Sequence, residues 1–315
     1  MNEFLGRYGT VLAALALFAL LALLAPNFTA PMNLINVVKQ ASYLAILAIG
    51  FTLALLAGEL DLSVGQVATL ASVVCAALVF AGQPWPLAAL AGLSAALLCG
   101  VVNGVAVTRF KIPSLIATLA VGVIATGIAF LITGGIAYVG RFPAGFVALG
   151  RGTLGPVPLP VVWLGLLLAA AWFLVERTRT GAALVATGEA PEAARLAGID
   201  IARIKLLGLV LSAGCAGLCG LVLTAALASS SPTIANEFLM RGIAAVLLGM
   251  TTIEPGRPNL AGTLLGTLVI AGLGNGLTLL GFPYYVQDIA LGLIMLVSVG
   301  FSARFLTEAA FGGAR

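Results

Sequence analysis

Few side chains in this sequence could act on a bond or hold an ion. Glu59 and Asp61 stand two residues apart in Gly58-Glu-Leu-Asp-Leu-Ser-Val-Gly65, the only close carboxylates in or near an apolar run. An acid pair is one route to intramembrane catalysis or to ion-coupled transport. Cys215 and Cys219 are four apart on one helix face, which suits a metal or thiol pair, but the chain has no histidine to complete such a site. All four cysteines (Cys75, Cys99, Cys215 and Cys219) lie inside apolar runs and read as small buried hydrophobes. Ser212 and the serines at 229–231 have no histidine or lysine close in sequence to activate them. The three lysines follow Val38, Phe110 and Ile204, so no Gly-Lys dipeptide and no phosphate-binding loop exists. These residues offer no catalytic group, no metal site and no nucleotide site.

A carboxylate at mid-bilayer costs about 2.5–3.5 kcal/mol on insertion scales, so Glu59 and Asp61 require a protein-lined or watery break. Asp61 precedes Leu62-Ser-Val-Gly65, where it is placed to cap the next helix; contact with a passing solute is the other reading. A second break, Gly249-Met-Thr-Thr-Ile-Glu-Pro-Gly-Arg-Pro258, also separates a short apolar segment from a longer one. Paired interruptions of this kind point to a translocation pathway, or else are two tight connections. Mid-span acids and histidines are otherwise nearly absent, and Asp288 sits just inside the last apolar run beside the interfacial Tyr284, Tyr285 and Gln287. A carrier driven by protons or sodium would show more of them, so the energy for transport is expected from another chain. A self-contained secondary carrier or channel for a small polar solute is the alternative.

The densest charge lies in the stretch 175–205, the longest polar interruption of the sequence. Its core, Gly188-Glu-Ala-Pro-Glu-Ala-Ala-Arg-Leu-Ala-Gly198, has Pro191 to start a helix. Glu192 and Arg195 then fall at i, i+3 on one face of a short surface helix. Such a loop gives a soluble partner somewhere to dock.

The elements that position these residues follow from composition. The chain is 61% hydrophobic and 8% charged, against about 25% charged in a soluble domain, with a mean hydropathy of +1.17. An all-α polytopic membrane protein is expected, a single transmembrane domain over 1–315. At about 20 apolar residues per span, about ten transmembrane helices fall near 8–25, 41–57, 64–81, 86–107, 114–134, 158–175, 206–227, 241–252, 259–280 and 284–301. The first run follows Arg7 and resembles a signal peptide, but with so many spans after it a retained helix is expected. With the N-terminus inside, eleven of the fifteen basic residues are cytoplasmic, which sets both termini in the cytoplasm, the loop 176–205 beside them, and 135–157 and 228–240 outside. Those external loops either face an external partner or are solvated connections. Small residues at Gly100/Gly104, Gly262/Gly266 and Gly214/Gly217/Gly220 allow close helix crossings. The net charge of +4 is accounted for by this asymmetry, with no nucleic acid involved.

Three blocks resemble the permease family of bacterial monosaccharide ABC importers of the ribose, xylose, arabinose and autoinducer-2 type. They are Gly50 to Gly65, similar to a G-[IL]-D-[LI]-S-x-G signature; Gly181 to Gly198, similar to a coupling pattern; and Ala244-Ala-Val-Leu-Leu-Gly-Met250 with Gly262-Thr-Leu-Leu-Gly266 and Gly274 to Gly281. Glu59 departs from the family, which usually has Gly there, and 250–259 replaces a Gly/Ser-rich loop. The resemblance implies a permease bundle with broken or short helices in a bacterial inner membrane, working by alternating access. It places Glu189, Glu192, Ala193, Ala194, Arg195 and Gly198 in the coupling segment, and Gly58, Glu59, Asp61, Ser63 and Gly65 at a signature turn on the translocation pathway. The implied partners are an ABC ATPase subunit, a periplasmic substrate-binding protein and a second permease copy or paralogue. The chain itself needs no cofactor, since ATP and Mg belong to the ATPase, and is not an enzyme.

Overall fold

The computed structural model describes residues 2–253 and 256–311, and for 2–10 and 299–311 the backbone alone. Glu254 and Pro255 of the second break, the side chains of Arg7 and Arg304, and Arg315 therefore lie outside the described residues. The chain is mainly helical. It opens with α1 (Asn2–Leu24), α2 (Pro31–Leu56), α3 (Val64–Phe80), α4 (Trp85–Thr108) and α5 (Ser114–Thr133). Then come the short α6 (Ala144–Arg151), α7 (Leu159–Arg177), α8 (Arg179–Glu189) and α9 (Pro191–Leu196). The last four are α10 (Ile201–Leu227), α11 (Asn236–Gly249), α12 (Leu260–Leu279) and α13 (Tyr284–Phe311).

Every apolar run expected to span corresponds to a helix, but the count by length differs. Six helices (α2, α4, α5, α7, α10 and α12) are long and apolar enough to cross a membrane, and three shorter apolar stretches lie in α1, α3 and α13. At 1.5 Å per residue the 14-residue α11 reaches about 21 Å, short of the roughly 30 Å hydrocarbon layer.

The bundle is built around α2, buried along its whole length from Ala41 to Leu56. A helix that is apolar on all sides and closed in on all sides is a bundle centre. Around it the usual amphipathic logic is inverted. On α5 the buried residues include Ser114, Ala117, Thr118, Val121, Gly122 and Ala125, while Ile116, Leu119, Val123, Ile124 and Leu131 face outward. Small residues inward and large aliphatic ones outward is how helices associate when the surroundings are lipid.

The glycines set the closest approaches. A Cβ on Gly100 would sit 2.7 Å from the Ala213 Cβ, and one on Gly217 2.6 Å from the Ala96 Cβ, which binds α4 to α10. A Cβ on Gly220 would overlap the Ala68 carbonyl oxygen, and one on Gly266 that of Ala245. Gly220→Ala and Gly266→Ala are therefore each expected to lower stability by about 1–3 kcal/mol. Gly165→Ala, in open space on α7, is expected to be neutral or stabilising by up to about 1 kcal/mol. Thermal unfolding in mild detergent checks this; equal melting of all three would contradict it.

The segments 135–157 and 228–240 carry structure of their own. Within 135–157 lie β1 (Tyr138–Val139), α6 and the hairpin of β2 (Thr153–Leu154) with β3 (Val157–Pro158). β1 pairs antiparallel with β4 (Ser229–Ser230), joining this segment to 228–240. The latter is not a solvated connection, because it runs back into the bundle along α3. Ser230 Oγ meets Ser72 Oγ at 2.7 Å, and the Ala235 N–H donates to Thr69 Oγ1 at 3.2 Å, with Ser230, Ser72 and Ala235 all fully buried. The hydroxyls of Thr69 and Ser72 hold a segment whose own backbone bonds are isolated turns, Ile234 N–H to the Ser231 carbonyl and Asn236 N–H to that of Thr233.

Candidate functional site

The site residues expected from the sequence gather at one end of the bundle, where three chain segments meet. The first is the stretch after α7. Thr178 closes the junction, accepting from the Gly181 N–H at 3.0 Å as the N-cap of α8 and donating to the Leu174 carbonyl at 2.6 Å. A Cβ on Gly181 would overlap the carbonyl oxygens of Leu174 and Val175, so only glycine permits so sharp a reversal. The one-turn helix α9 follows, with Pro191 in its first turn as the sequence predicts. Glu192 and Arg195 form the expected i, i+3 pair at 2.6 Å on its outer face. Of the residues at 189–198, only Ala194 is fully buried and anchors the helix; Ala193 and Leu196 point out, the latter 85% exposed. Gly198 takes φ +83° and ends α9, which lets the Ile199 N–H reach back to the Ala194 carbonyl. Asp200 then caps α10, accepting from the Arg203 N–H at 3.1 Å.

The second segment is the turn between α2 and α3. Gly58 has φ +76° and lies against Gly188 at the end of α8. The Leu60 N–H donates to Ser114 Oγ and the Leu62 N–H to Thr118 Oγ1, at 3.2 and 3.0 Å, so α5 supplies the partners that an interrupted helix lacks. Asp61 is fully buried. Its Oδ1 accepts from both the N–H and the hydroxyl of Ser63, and Asn103 Nδ2 donates to Ser63 Oγ at 2.9 Å. Burial pushes the Asp61 carboxyl above its ordinary value, and the hydrogen bonds from Ser63 pull against this.

The capping expectation for Asp61 needs correction. Ser63 occupies the N-cap of α3, and Asp61, two residues earlier, fixes the turn instead. Gly65 follows at a close approach, where a Cβ would stand 3.0 Å from the Ala235 carbonyl oxygen and 3.1 Å from the Leu239 Cβ. The helices α3 and α11 thus start beside each other inside the bundle and run in opposite directions.

The third segment is the break after α11. Met250 and Leu60 share an apolar cluster with Phe51, Leu55, Val246 and Leu247, so the two interruptions expected from the sequence do meet in space. Gly249 lies on Gly262, and Asn259 caps α12 by accepting from the Gly262 N–H at 2.6 Å.

Two ion pairs tie the segments together. Lys205 Nζ, in the first turns of α10, lies 2.5 Å from Glu59 Oε1; the carboxylate side is 4% exposed and the ammonium side 26%. Arg257 lies 3.2 Å from Glu189. The site residues named from the sequence therefore fall in one connected region, with Gly58 and Glu59 touching the segment that carries Glu189 to Gly198. Sequence reading missed Lys205, Arg257, Ser114 and Thr118, whose partners lie far away in the chain. Asn103 did carry a signal, a lone amide inside an apolar run.

An apolar helical bundle with two interrupted helices that meet at one end, beside a short exposed helix, has the build of a membrane subunit of a transporter. Residues 33–299 match the family described as branched-chain amino acid transport system / permease component, and the chain belongs to that family. It is similar to the ribose import permease protein RbsC of Escherichia coli strain K12, with 35% identity over 92% of this chain and 91% of that one. It also resembles the galactofuranose transporter permease protein YtfT of the same strain (34%; 89% of this chain, 82% of that one). The L-arabinose ABC transporter permease protein AraH of Azospirillum brasilense is 31% identical, over 95% of this chain and 88% of that one. No solved structure matches the chain. The protein is a transmembrane permease subunit of an ABC importer in the inner membrane; ATP hydrolysis resides in a separate subunit, and permeases of this kind act with an ATPase and a substrate-binding protein.

Proposed function

We propose that this chain forms the translocation pathway for a sugar or sugar-like small solute delivered by a periplasmic binding protein. The observation that carries the reading is the continuous connection from the exposed α9, through α10, to the buried Glu59–Lys205 pair at the α2–α3 break. Glu189, Glu192, Ala193, Arg195 and Gly198 form the coupling surface for the ATPase, which holds ATP and Mg, and the buried Ala194 seats that surface on the bundle. Gly58, Glu59, Asp61, Ser63 and Gly65 form the turn through which motion at that surface reaches the pathway. The solute class comes from the names of the relatives, a ribose import permease, a galactofuranose transporter permease and an L-arabinose ABC transporter permease.

In this reading ten helices cross the bilayer, α11 doing so together with the segment 231–235 that precedes it. Both termini are cytoplasmic, supported by the eleven basic residues that fall on that side. The outward aliphatic faces meet lipid and a second permease copy or paralogue. ATP binding closes the ATPase pair, the coupling helices transmit the motion, and the pathway opens toward the docked binding protein.

Co-purification of the tagged chain from its native host in mild detergent, with mass spectrometry of what is retained, tests this. A stoichiometric ABC ATPase is the expected result, and any second permease defines the dimer. A chain that purifies alone and still moves solute in vesicles would make it a secondary carrier.

A further inference from the structure

At the end of the bundle opposite α9, a cleft of about 360 Å³ opens between α2, α10, α11, α12 and α13. That volume lies in the lower part of the roughly 300–1,000 Å³ range of small-molecule sites. Its polar lining includes Gln40, the unpartnered Tyr43 hydroxyl, Arg241, Asn275, Gln287 and Asp288, above an apolar floor that includes Phe238 and Leu44.

Part of this polar set is already occupied. Asn275 exchanges hydrogen bonds with Asn33 at 2.9 and 3.0 Å, and Gln287 Nε2 donates to Thr278 Oγ1 at 3.1 Å. Arg241 is neutralised by Glu237 at 2.9 Å. The Asp288 carboxylate and the Gln40 amide are exposed at the rim of the cleft and have no hydrogen-bond or ion-pair partner among the described residues, and Gln287 Oε1 accepts from none. Unused acceptors on two elements, an amide donor and a paired guanidinium converge over an aromatic and aliphatic floor. An anion is disfavoured, because the one unpaired charge is negative. A zwitterionic amino acid would need Arg241 free for its carboxylate. A neutral polyol fits: its hydroxyls both donate to and accept from these groups, while its C–H face lies on Phe238.

We infer that this cleft is a monosaccharide-binding subsite on the pathway, with Asp288, Gln40 and Gln287 as the groups that contact hydroxyls. The inference rests on the sugar-pathway reading above and adds where in this chain the solute is held.

The transporter assembled from this chain, its ATPase and its binding protein, reconstituted in proteoliposomes, provides the test. ATP-driven uptake of labelled D-ribose, L-arabinose, D-galactose and L-leucine is measured beside ATPase activity. Ala271→Trp fills the cleft, and Asp288→Asn removes its unpaired charge. Uptake of whichever sugar the wild type carries is expected to fall about ten-fold in the first and about five-fold in the second. Stimulation of the ATPase by the binding protein should persist in both, which separates the effect from misfolding. If Ala271→Trp does not assemble, Asp288→Asn decides alone. Uptake within about two-fold of wild type in the assembled variants overturns the cleft assignment and leaves the pathway reading standing. Wild-type uptake of none of the three sugars, or of L-leucine in their place, overturns the sugar reading and the subsite with it.

Discussion

Replacing Gly198 with tryptophan is expected to cut ATP-driven uptake at least about ten-fold, equivalent to roughly 1.4 kcal/mol of lost coupling, while the permease still folds and inserts. The reason lies in where the new side chain would go. Gly198 has φ +83° at the end of α9, and among the described residues nothing beyond its own chain neighbours lies within 4 Å of a Cβ built there. A left-handed conformation costs a non-glycine residue about 1–2 kcal/mol, which a bundle braced by α7, α8 and α10 tolerates. An indole at this position meets only what docks on α9. Gly198→Asn, which accepts the left-handed backbone and adds little bulk, is expected to stay near wild type and serves as the control. Glu192→Lys, which turns the pair with Arg195 into a repulsion, should weaken coupling in the same direction. Wild-type uptake in Gly198→Trp, with the protein confirmed in the membrane, would remove α9 from the coupling surface.

The second large effect belongs to Glu59 and Lys205. Lys205→Met leaves a 4%-exposed carboxylate without its cation. Breaking a buried pair from one side costs about 3–5 kcal/mol, and since the Lys205 side chain is a quarter exposed the lower end, about 3 kcal/mol, is expected. Glu59→Gln with Lys205→Met removes both charges and should recover most of that stability. The double variant separates two roles of the pair. Its melting temperature in detergent should return close to wild type, whereas its uptake should stay reduced, because the strap between α10 and the 58–63 turn is gone. A single variant as stable as wild type would mean that the pair contributes nothing to the fold.

The departure at Glu59 makes this pair informative. The sequence reading marked Glu59 as unusual beside Asp61 and assigned it to the turn, but could not supply the cation. Lys205 lies 146 positions away and looks, along the chain, like one more basic residue of the polar loop. Charges that meet across a fold leave no periodic trace. By contrast Glu192 and Arg195 were legible, because their partnership is local and fixed by helix geometry. Asp61 was legible as a buried break residue but not in its role. Whether an aspartate caps a helix or fixes the turn before it depends on a shift of two residues, and Leu62-Ser63 allowed either.

The fold divides the same way. The apolar runs located the helices, and the Gly100/Gly104 and Gly262/Gly266 spacings located the close crossings, since both signals are periodic. Composition could not distinguish the buried α2 from the outward-facing α4 and α5, as all three are apolar all round; only the arrangement of small against large residues on α5 separates its inner from its outer face. The return of 228–235 into the bundle was invisible for a different reason. Ser-Pro-Thr-rich segments read as solvated loops, and the hydroxyls that receive this one, on Thr69 and Ser72, are scattered along an apolar helix.

The most direct test of the central claim is uptake into proteoliposomes containing this chain and its binding protein, with and without the ATPase subunit. Solute entry that requires both the ATPase and ATP is the result expected of a permease whose α9 receives the drive. Entry of the same solute at the same rate without the ATPase would contradict it, and would make the polar segment 176–205 something other than a coupling loop.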